Sequence, residues 1–480
     1  MTNNYILKPT MPAVLDNIYT HFSNRFINLK NTVVLNVLLS KIAQMLTSKR
    51  ILLDVVGRDV IPNWYSMVFV ASGFGKDRLV KDLNELVFQD FRNWFVEKSK
   101  RYKQDRIEDI KFLAKDKFQG EKQENQQRAF IEAETEKIRD LVLEMADGTQ
   151  EGFYSDGLAF FNADFGSLFV TISEFGKFLQ SSTTEKEQFI NCLFNAYDGK
   201  ISSKCIKGGK RECDIEGLPV NALLYSDHNL ILNEVKHIVN SLLQTGLNRR
   251  SVISFQTNRE LKNESMSYEI EKMFNETAKN LGKDLFSLFE KCKLYNRYTL
   301  LSESKSALNI YEQKCTNLYN KTENEFLKAE IKSRVFKSLK LSCLYACLNH
   351  PKDLTIKPED IEQAISTVEF LSQDLKELIN YRPKYCDKYD KIFKFFLENL
   401  GHGFTKTSLT YKHHTEIGIS RKNFTDKFDE TISIVRNIAK EEGYLLQEKP
   451  INNNSGKEYK LVKIEIDYTL PDLNKLMRSS

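Results

Sequence analysis

The sequence lacks long apolar runs, a targeting signal and a strong excess of one charge. No run of 18 apolar residues occurs, and Met1–Thr10 has no basic segment followed by an apolar one. We therefore expect a cytoplasmic protein with no membrane partner. The formal net charge of +5 and the pI near 8.5 are too mild to indicate nucleic-acid binding, which only local clusters of basic residues would predict.

Cysteine pairs, prolines and glycines are also scarce. The eight cysteines include no C-x-x-C pair and no cysteine–histidine spacing suited to zinc, so reduced and mostly buried thiols are expected. Adjacent His413 and His414 would diverge on a helix, which favours a surface or nucleic-acid contact over a metal site. With 9 prolines, 20 glycines and 41% hydrophobic residues in 480, the chain should be rich in helix and hold two to four domains.

The most informative stretch is residues 68–77, VFVASGFGKD. An apolar strand, a glycine-rich turn, a lysine and an amphipathic helix over residues 78–91 follow one another, which is the layout of a phosphate-binding loop. In such a loop backbone N–H groups hold phosphate oxygens and the lysine reaches the outer phosphates. The predicted nucleotide-binding residues are Ser72, Gly73, Gly75, Lys76 and Asp77. The full pattern G-x-x-x-x-G-K-[ST] has glycine where this chain has Val70, so a strand-turn-helix with a solvated lysine stays open as an alternative.

Polar residues end two further predicted strands. Residues 168–172 are followed by Ser173 and Glu174, at the kind of carboxyl edge where ligand sites of α/β proteins form. Glu174 is the candidate base that orients and activates an attacking water. Residues 218–225 predict a strand beside it. Ser226 and Asp227, which follow that strand, are candidates for sensing the outermost phosphate or holding the water.

Basic residues mark two turns. Residues 201–215 predict a hairpin whose tip carries Lys207, Lys210 and Arg211. Inside a ring, this tip would contact the backbone of single-stranded DNA; the alternative is an edge hairpin kept soluble by lysine. Arg249 and Arg250 precede a strand over residues 252–255. They are candidates for completing the active site of a neighbouring subunit by stabilising charge on the transferred phosphoryl group.

The last hundred residues predict a separate domain. Tyr381-Arg382-Pro383 breaks the helical pattern, and three helices followed by a hairpin then predict a winged-helix domain over residues 384–465. The third helix begins near Ser420, so Arg421, Lys422 and Asn423 would face the bases of a major groove, and Lys457 in the wing would contact phosphate. Winged helices also mediate protein contacts, and that alternative stays open. Residues 466–480 are expected to be disordered.

The order of these parts resembles the ATPase core of phage- and plasmid-encoded primase-helicase proteins, a family related in layout to superfamily-3 helicases and other AAA+ motors. The resemblance covers residues 50–375. It is carried by Pro62-Asn63-x-Tyr65, S-G-x-G-K-D, Glu174-Phe175-Gly176, the basic hairpin and Gly246-Leu-Asn-Arg-Arg. It implies an α/β fold: an AAA+-like P-loop ATPase with a parallel sheet, a helical lid and the C-terminal winged-helix domain.

The implied domains are an N-terminal helical region (residues 1–50), the ATPase core (51–257) and the lid (258–380). A charged helical hairpin over residues 97–147 is inserted in the core, and we assign it no chemistry. The resemblance also implies that Arg334 or Lys340, in the lid, lies near the nucleotide. No segment before residue 50 is long enough to hold a primase domain.

The residues at the implied magnesium site depart from the family. The family places a hydroxyl residue and an aspartate there, whereas this chain has Asp77 and Ser173. Since the two positions face the same ion, we expect that carboxylate and hydroxyl have exchanged sides, which keeps the ligand types and the charge. The alternative is impaired metal binding and a weak ATPase.

The function implied by the resemblance is that of an ATP- and Mg²⁺-dependent DNA helicase or translocase of a mobile element. It would act as a ring, expected to be a hexamer, with single-stranded DNA in its channel and duplex DNA on the winged helix. Lys76 would bind the β/γ-phosphates, Glu174 the water, and Arg249 or Arg250 the nucleotide of the neighbouring subunit. Two alternatives stay open: a replication initiator or helicase loader, and a non-catalytic DNA-binding adaptor with a degenerate ATPase fold.

Overall fold

The computed structural model describes most of the chain, with gaps. The described residues are 8–71, 73–118, 124–146, 149–175, 178, 184–202, 213–226, 246–257, 261–264, 266–380, 388–417, 421–426, 428–441, 444–451 and 456–463. The chain divides into two compact units, Met1–Tyr381 (the larger unit) and Arg382–Ser480 (the smaller unit). Among the described helices, none is both long enough and apolar enough to cross a bilayer.

The larger unit alternates helices and strands. Its first half contains α1 (Ala13–Arg25), α2 (Asn31–Thr47), β1 (Leu52–Val55), β2 (Arg58–Val60), β3 (Tyr65–Val70), α3 (Lys76–Asp82), a π-helical turn (Leu83–Val87), α4 (Gln89–Lys117), α5 (Glu124–Thr135), α6 (Gln150–Ala163) and β4 (Leu168–Ile172). Its second half contains α7 (Thr184–Tyr197), β5 (Lys200–Ile201), β6 (Ile215–Glu216), β7 (Val220–Ser226), α8 (Leu247–Arg250), β8 (Ser251–Gln256), α9 (Tyr268–Lys291), β9 (Arg297–Leu300), α10 (Ser302–Lys321), α11 (Glu325–Asn349), β10 (Thr355–Ile356) and α12 (Pro358–Asn380).

A parallel sheet with the strand order β4-β7-β3-β8 forms the centre of the larger unit. All six residues of β3 are buried, as expected of a continuous apolar run in a sheet that is covered on both faces. Val68 and Val70 pack with residues of α2 and α11 on one face, while Met67 and Phe69 pack with residues of α6 and α7 on the other. The fold is therefore mixed α/β with a parallel sheet, as predicted.

The regions predicted as separate on either side of the ATPase core share its hydrophobic core. On α2, the buried Asn36 side chain donates to the Val252 carbonyl at 3.0 Å and accepts from the Ser66 hydroxyl at 2.8 Å. On α12, the Asp374 carboxylate accepts from the Phe255 N–H at 3.0 Å. Residues 1–50 and 258–380 thus lie in one compact unit with the sheet, and α2 is a core helix.

Two helices account for most of the described residues of the predicted charged hairpin, residues 97–147. The 29-residue α4 packs against α5, in which no residue is buried. The rings of Phe118 and Phe130 lie 5.7 Å apart between the two helices. Residues 119–123, at the tip, lie outside the described residues. A second, smaller sheet with the order β10-β9-β1-β2 completes the larger unit.

The smaller unit combines short helices with an antiparallel sheet. It contains α13 (Lys388–Glu398), β11 (Gly403–Thr405), a π-helical turn (Ser408–Lys412), α14 (His414–Ile417), α15 (Arg421–Asp426), α16 (Phe428–Glu441), β12 (Tyr444–Pro450) and β13 (Lys457–Lys463). Its sheet has the order β11-β13-β12, so the predicted hairpin is confirmed, whereas β11 was not predicted. The predicted third helix comprises α15 and α16. The tail over residues 466–480 lies outside the described part.

Candidate functional site

Three parallel strands bring the predicted site residues to one edge of the sheet. In the strand register, Phe69 of β3 pairs with Ser226 of β7, and Ile172 of β4 pairs with Leu224 of β7. The predicted adjacency of the strand before Glu174 and the strand before Ser226 is therefore confirmed. The residues that follow β3 and β4, including Lys76 and Glu174, lie at this carboxyl edge.

The strand order changes direction between two neighbouring strands of the sheet. The chain runs from β3 to β4, two positions to one side, and from β7 to β8, two positions to the other side. The strand order therefore continues in opposite directions from the adjacent strands β3 and β7. Such a switch point is where open α/β sheets bind their ligands.

The predicted phosphate loop, residues 71–75, connects β3 to α3. Gly73 and Gly75 have φ angles of 88° and 89°, in the left-handed region that favours glycine. Gly75, the N-cap residue of the helix that follows, has no side chain to accept a hydrogen bond from the first N–H groups of that helix. Ser72 lies outside the described residues. Val70 is still paired in β3, opposite Gln256, so the turn begins after the position at which the full motif has its first glycine.

Lys76, the first residue of α3, is the most unusual charge at this edge. It is only 8% exposed, and within the described part of the chain its ammonium makes no hydrogen bond, ion pair or ring contact. An ammonium with no described partner at this edge can pair with an anionic ligand. A phosphate group is one ligand of this kind.

Three carboxylates act on the hydroxyl of Tyr225, the penultimate residue of β7, through their charge. Burial raises the pKa of Tyr225 to about 12, and the negative charges of Asp77, Glu144 and Glu174 add to that effect. Asp77 and Glu174 were predicted from the sequence, whereas Tyr225 and Glu144 were not. The signal for Glu144 was the alternation Leu141, Leu143, Met145, which was interpreted as part of the charged hairpin.

Glu144 is held rigidly beside the sheet. Its carboxylate accepts hydrogen bonds from Lys41 Nζ at 2.8 Å, Asn84 Nδ2 at 3.3 Å and Arg92 Nη1 at 3.3 Å. The next residue, Met145, forms a parallel bridge with Val170 of β4, which extends the sheet beyond that strand. Burial lowers the pKa of Lys41, and the carboxylate of Glu144 opposes that shift.

The predicted magnesium ligands lie at the same edge in exposed positions. Asp77 and Ser173 are both exposed, as is Glu174, whereas Ser226 is fully buried. No set of three His, Cys, Asp or Glu side chains in the described residues could hold a metal ion. Because Mg²⁺ is held by one or two carboxylates together with phosphates and water, the Asp77–Ser173 pair stays a prediction. Asp227 lies outside the described residues.

The two predicted arginines have different environments. Arg250 forms an ion pair with Asp198 at 2.7 Å, and its guanidinium lies 5.9 Å from the centre of the Phe194 ring. Arg249 is exposed, with no partner among the described residues. Both precede β8, at the amino edge of the sheet. The six residues of β8 span about 20 Å, so neither arginine reaches Lys76 of its own subunit.

The expectation that Arg334 or Lys340 lies near the nucleotide is wrong. Lys340 Nζ donates to Asn63 Oδ1 at 2.6 Å, and Asn63 precedes β3 at the amino edge of the sheet. Arg334 pairs with Glu330 at 2.8 Å and Glu369 at 3.0 Å. Lys340 is therefore engaged at the amino edge, opposite the edge that holds the predicted phosphate loop, and Arg334 is engaged by two carboxylates of the helical region.

A cavity of about 480 Å³ lies near the loop, between α1, α2 and α12. Residues that line it include Tyr19, Ser23, Ile27 and Phe370. Residues 26–30 separate it from the loop: a Cβ placed on Gly75 would lie 3.7 Å from the Phe26 ring, and the Lys30 N–H donates to Gln256 at the end of β8.

The predicted DNA contacts are only partly described. Lys207, Lys210 and Arg211 lie outside the described residues, although β5 and β6 form the antiparallel base of the predicted hairpin. In the smaller unit, Arg421 and Lys422 are exposed at the start of α15, and the Arg421 guanidinium lies 3.7 Å from the centre of the Tyr411 ring.

Lys457 and Asn423 complete the predicted set. Lys457 forms an ion pair with Glu448, which also binds Arg436, so its charge is compensated within the smaller unit. Asn423 lies on α15.

No protein-family model matches the chain, and no curated protein matches it either.

Proposed function

We propose that the larger unit binds ATP with Mg²⁺ at the carboxyl edge of its sheet and hydrolyses it, as an AAA+-like P-loop ATPase. The observation that carries this proposal is Lys76: a largely buried lysine whose ammonium has no described partner, directly after two left-handed glycines, at the switch point of a parallel sheet. A phosphate chain is the ligand that a lysine and backbone N–H groups in this arrangement bind best.

The residues at the carboxyl edge of the sheet have separate roles in hydrolysis. Lys76 holds the outer phosphates, and Asp77 with Ser173 holds the metal ion. ATP with Mg²⁺ supplies a phosphoryl group that is ready for transfer to water. Glu174 orients that water and accepts its proton, while Ser226 and Tyr225 lie on the strand between Glu174 and Lys76.

Arg249 acts on the nucleotide of a neighbouring subunit. Its exposure favours it over Arg250, whose guanidinium is paired with Asp198, and its position at the amino edge excludes action within its own subunit. Stabilisation of the transferring phosphoryl group by an arginine supplied in trans needs a closed assembly such as a ring. We propose a hexameric ring.

The ring acts on DNA as a helicase or translocase of a mobile element. The hairpin that rises from β5 and β6 contacts single-stranded DNA in the channel. The smaller unit is a winged-helix domain, supported by helices followed by the β12–β13 hairpin, and it binds duplex DNA through Arg421 and Lys422. The compensated charge of Lys457 favours the recognition helix over the wing as the main contact.

One observation favours a second candidate, a replication initiator or helicase loader that uses ATP as a switch. Val70 is fully buried and paired in β3, so the loop is shorter than the full motif and offers fewer N–H groups to phosphate. Weaker binding of the phosphates slows hydrolysis. If the loop does not bind phosphate at all, the chain is a non-catalytic DNA-binding adaptor.

The deciding experiment uses the purified full-length chain. Binding of a fluorescent ATP analogue, ATP hydrolysis with and without single-stranded DNA, and strand displacement are measured for wild type and Lys76→Ala. The matched control is Lys81→Ala, which removes an exposed lysine from the same helix.

Each candidate gives a distinct pattern. Hydrolysis stimulated by single-stranded DNA, with strand displacement, supports the motor. Slow hydrolysis with sequence-specific duplex binding supports the initiator. Nucleotide binding that is absent, or equal in wild type and Lys76→Ala, refutes the ATPase and leaves the adaptor. For the ATPase, we expect Lys76→Ala to weaken nucleotide binding by about tenfold or more, because a hydrogen bond to a charged group contributes roughly 1.5–3 kcal/mol.

A further inference from the structure

The arginine turn, residues 246–250, is closely packed around its two guanidinium groups. A Cβ placed on Gly246, which has a φ of 82°, would lie 3.2 Å from Arg249 Nε and 3.3 Å from Arg250 Nη1. The turn packs against α7 and α11. Its polar link to α7 is the ion pair between Arg250 and Asp198, the residue that directly follows the helix. The orientation of the turn therefore depends on where α7 ends.

Lys340, on α11, holds the end of α7. Its ammonium donates to Asn63 Oδ1 at 2.6 Å and to the Tyr197 carbonyl at 3.1 Å, and it lies 3.6 Å from the centre of the Tyr197 ring. The ammonium also lies 4.9 Å from the centre of the Phe336 ring, which is on the same helix. Tyr197 is the last residue of α7 and precedes Asp198. A chain of direct contacts therefore runs from Lys340 through Tyr197 and Asp198 to Arg250.

The stability of the fold alone does not explain a lysine at this position. Lys340 is 1% exposed, and in the described part of the chain no carboxylate lies within ion-pair distance of it. Burying a cation without an ionic partner opposes folding, whereas an apolar side chain of similar length would fill the same space. What an apolar side chain lacks is the pair of directed hydrogen bonds that fix Tyr197 against Asn63.

We propose that Lys340 is the positioning residue for the arginine turn. It fixes the end of α7, and thereby Asp198 and Arg250, so that Arg249 is presented at the surface in one orientation. The proposal rests on the proposed function only for the role of Arg249 on a neighbouring subunit's nucleotide. Because Lys340 lies within α11, it also links the position of that helix to the arginine turn.

The positioning role is tested first by hydrogen exchange, which needs no ATPase activity. The full-length chain is compared with Lys340→Met and with Lys332→Met, which removes an exposed lysine from the same helix. We expect exchange in a peptide covering residues 246–251 to become at least about tenfold faster in Lys340→Met, and to be unchanged in Lys332→Met, because only the former releases the end of α7. Exchange in residues 73–82 should not change in either variant.

A second variant keeps the test decisive if Lys340→Met does not fold. Asp198→Asn alters a half-exposed side chain and breaks the ion pair with Arg250, so the same acceleration over residues 246–251 is expected. If this peptide exchanges in Lys340→Met at the wild-type rate, the proposal is overturned. If Lys340→Met is unfolded, the same result in Asp198→Asn overturns it.

Subunit mixing tests the consequence for catalysis. Lys340→Met subunits keep an intact predicted nucleotide site, and Lys76→Ala subunits keep an intact arginine turn. Each variant alone should lose at least about tenfold in ATP hydrolysis, and their mixture should regain activity. The reference is a mixture of Arg249→Ala with Lys76→Ala subunits.

The two proposals fail in distinguishable ways. Recovery in the reference mixture without recovery for Lys340→Met overturns the positioning role. No recovery in either mixture overturns the action of Arg249 in trans. If the wild type does not hydrolyse ATP, the proposed function fails, and hydrogen exchange still decides whether Lys340 holds the arginine turn.

Discussion

Lys340 should make the stability of the larger unit depend on pH. Burial lowers the pKa of Lys340 to about 7; the charge of Asp198 opposes this shift and that of Arg250 adds to it. In the unfolded chain the pKa of lysine is about 10.4. Between these two values the unfolded state binds more protons than the folded state, so the free energy of unfolding rises with pH. Below both pKa values the ammonium is charged in both states, and its burial destabilises the fold by a constant amount.

The magnitude follows from the two pKa values. A difference of one bound proton changes the free energy of unfolding by about 1.4 kcal/mol per pH unit. Between about pH 7.5 and pH 9.5, the two titrations together give a rise of about 2.5 kcal/mol. In Lys340→Met this contribution is absent. Buried Lys337, whose pKa burial lowers to about 8, contributes equally to both proteins and cancels in their difference.

Tryptophan fluorescence during urea denaturation measures this effect. The chain has two tryptophans, Trp64 and Trp94, and both lie in the larger unit. The control is Lys279→Met, which removes an exposed lysine from α9 and should keep the wild-type pH dependence. If wild type and Lys340→Met gain the same free energy of unfolding between the two pH values, Lys340 does not lose its charge near neutral pH and the reasoning is refuted.

Three other experiments test separate parts of the structure by substitution. Asp374→Ala should destabilise the larger unit by about 3 kcal/mol, because three hydrogen bonds end on this buried carboxylate; a loss under about 1 kcal/mol in urea denaturation would contradict its structural role. Asp77→Ser should abolish ATP hydrolysis, and Asp77→Ser with Ser173→Asp should restore part of it; no recovery in a folded double variant would sink the exchanged ligand pair. Replacing Arg421 and Lys422 by alanine should weaken duplex DNA binding and lower the salt slope by about 2, whereas an unchanged slope would exclude both from phosphate contact.

The features that the sequence predicts well depend only on residues that are close together in the chain. The apolar run of β3 and the two glycines after it define a buried strand and a left-handed turn without reference to any other part of the chain. The acid after β4 and the polar end of β7 follow from the same local rule, since each closes an apolar strand. From these features the sequence predicts which residues lie at the carboxyl edge of the sheet.

Long-range partners account for what the sequence did not predict. Glu144 is fixed by Lys41, which lies 103 residues away in the chain, and Lys340 by Asn63, 277 residues away. No local periodicity encodes such pairs. The burial of α2 did have a signal, because its residues are apolar around almost the whole helix, which is typical of a core helix.

A nearly continuous helical segment connects the predicted phosphate loop to the charged hairpin, which can therefore act as a lever arm. α3, its π-helical turn and α4 follow one another with only Phe88 between them, and the 29 residues of α4 span about 44 Å. Phe91 and Phe95 anchor the near end in the core, while α5 at the far end has no buried residue. A tilt of about 5° at the anchor would move the far end by about 4 Å, so a small rearrangement at the anchor would be magnified along α4.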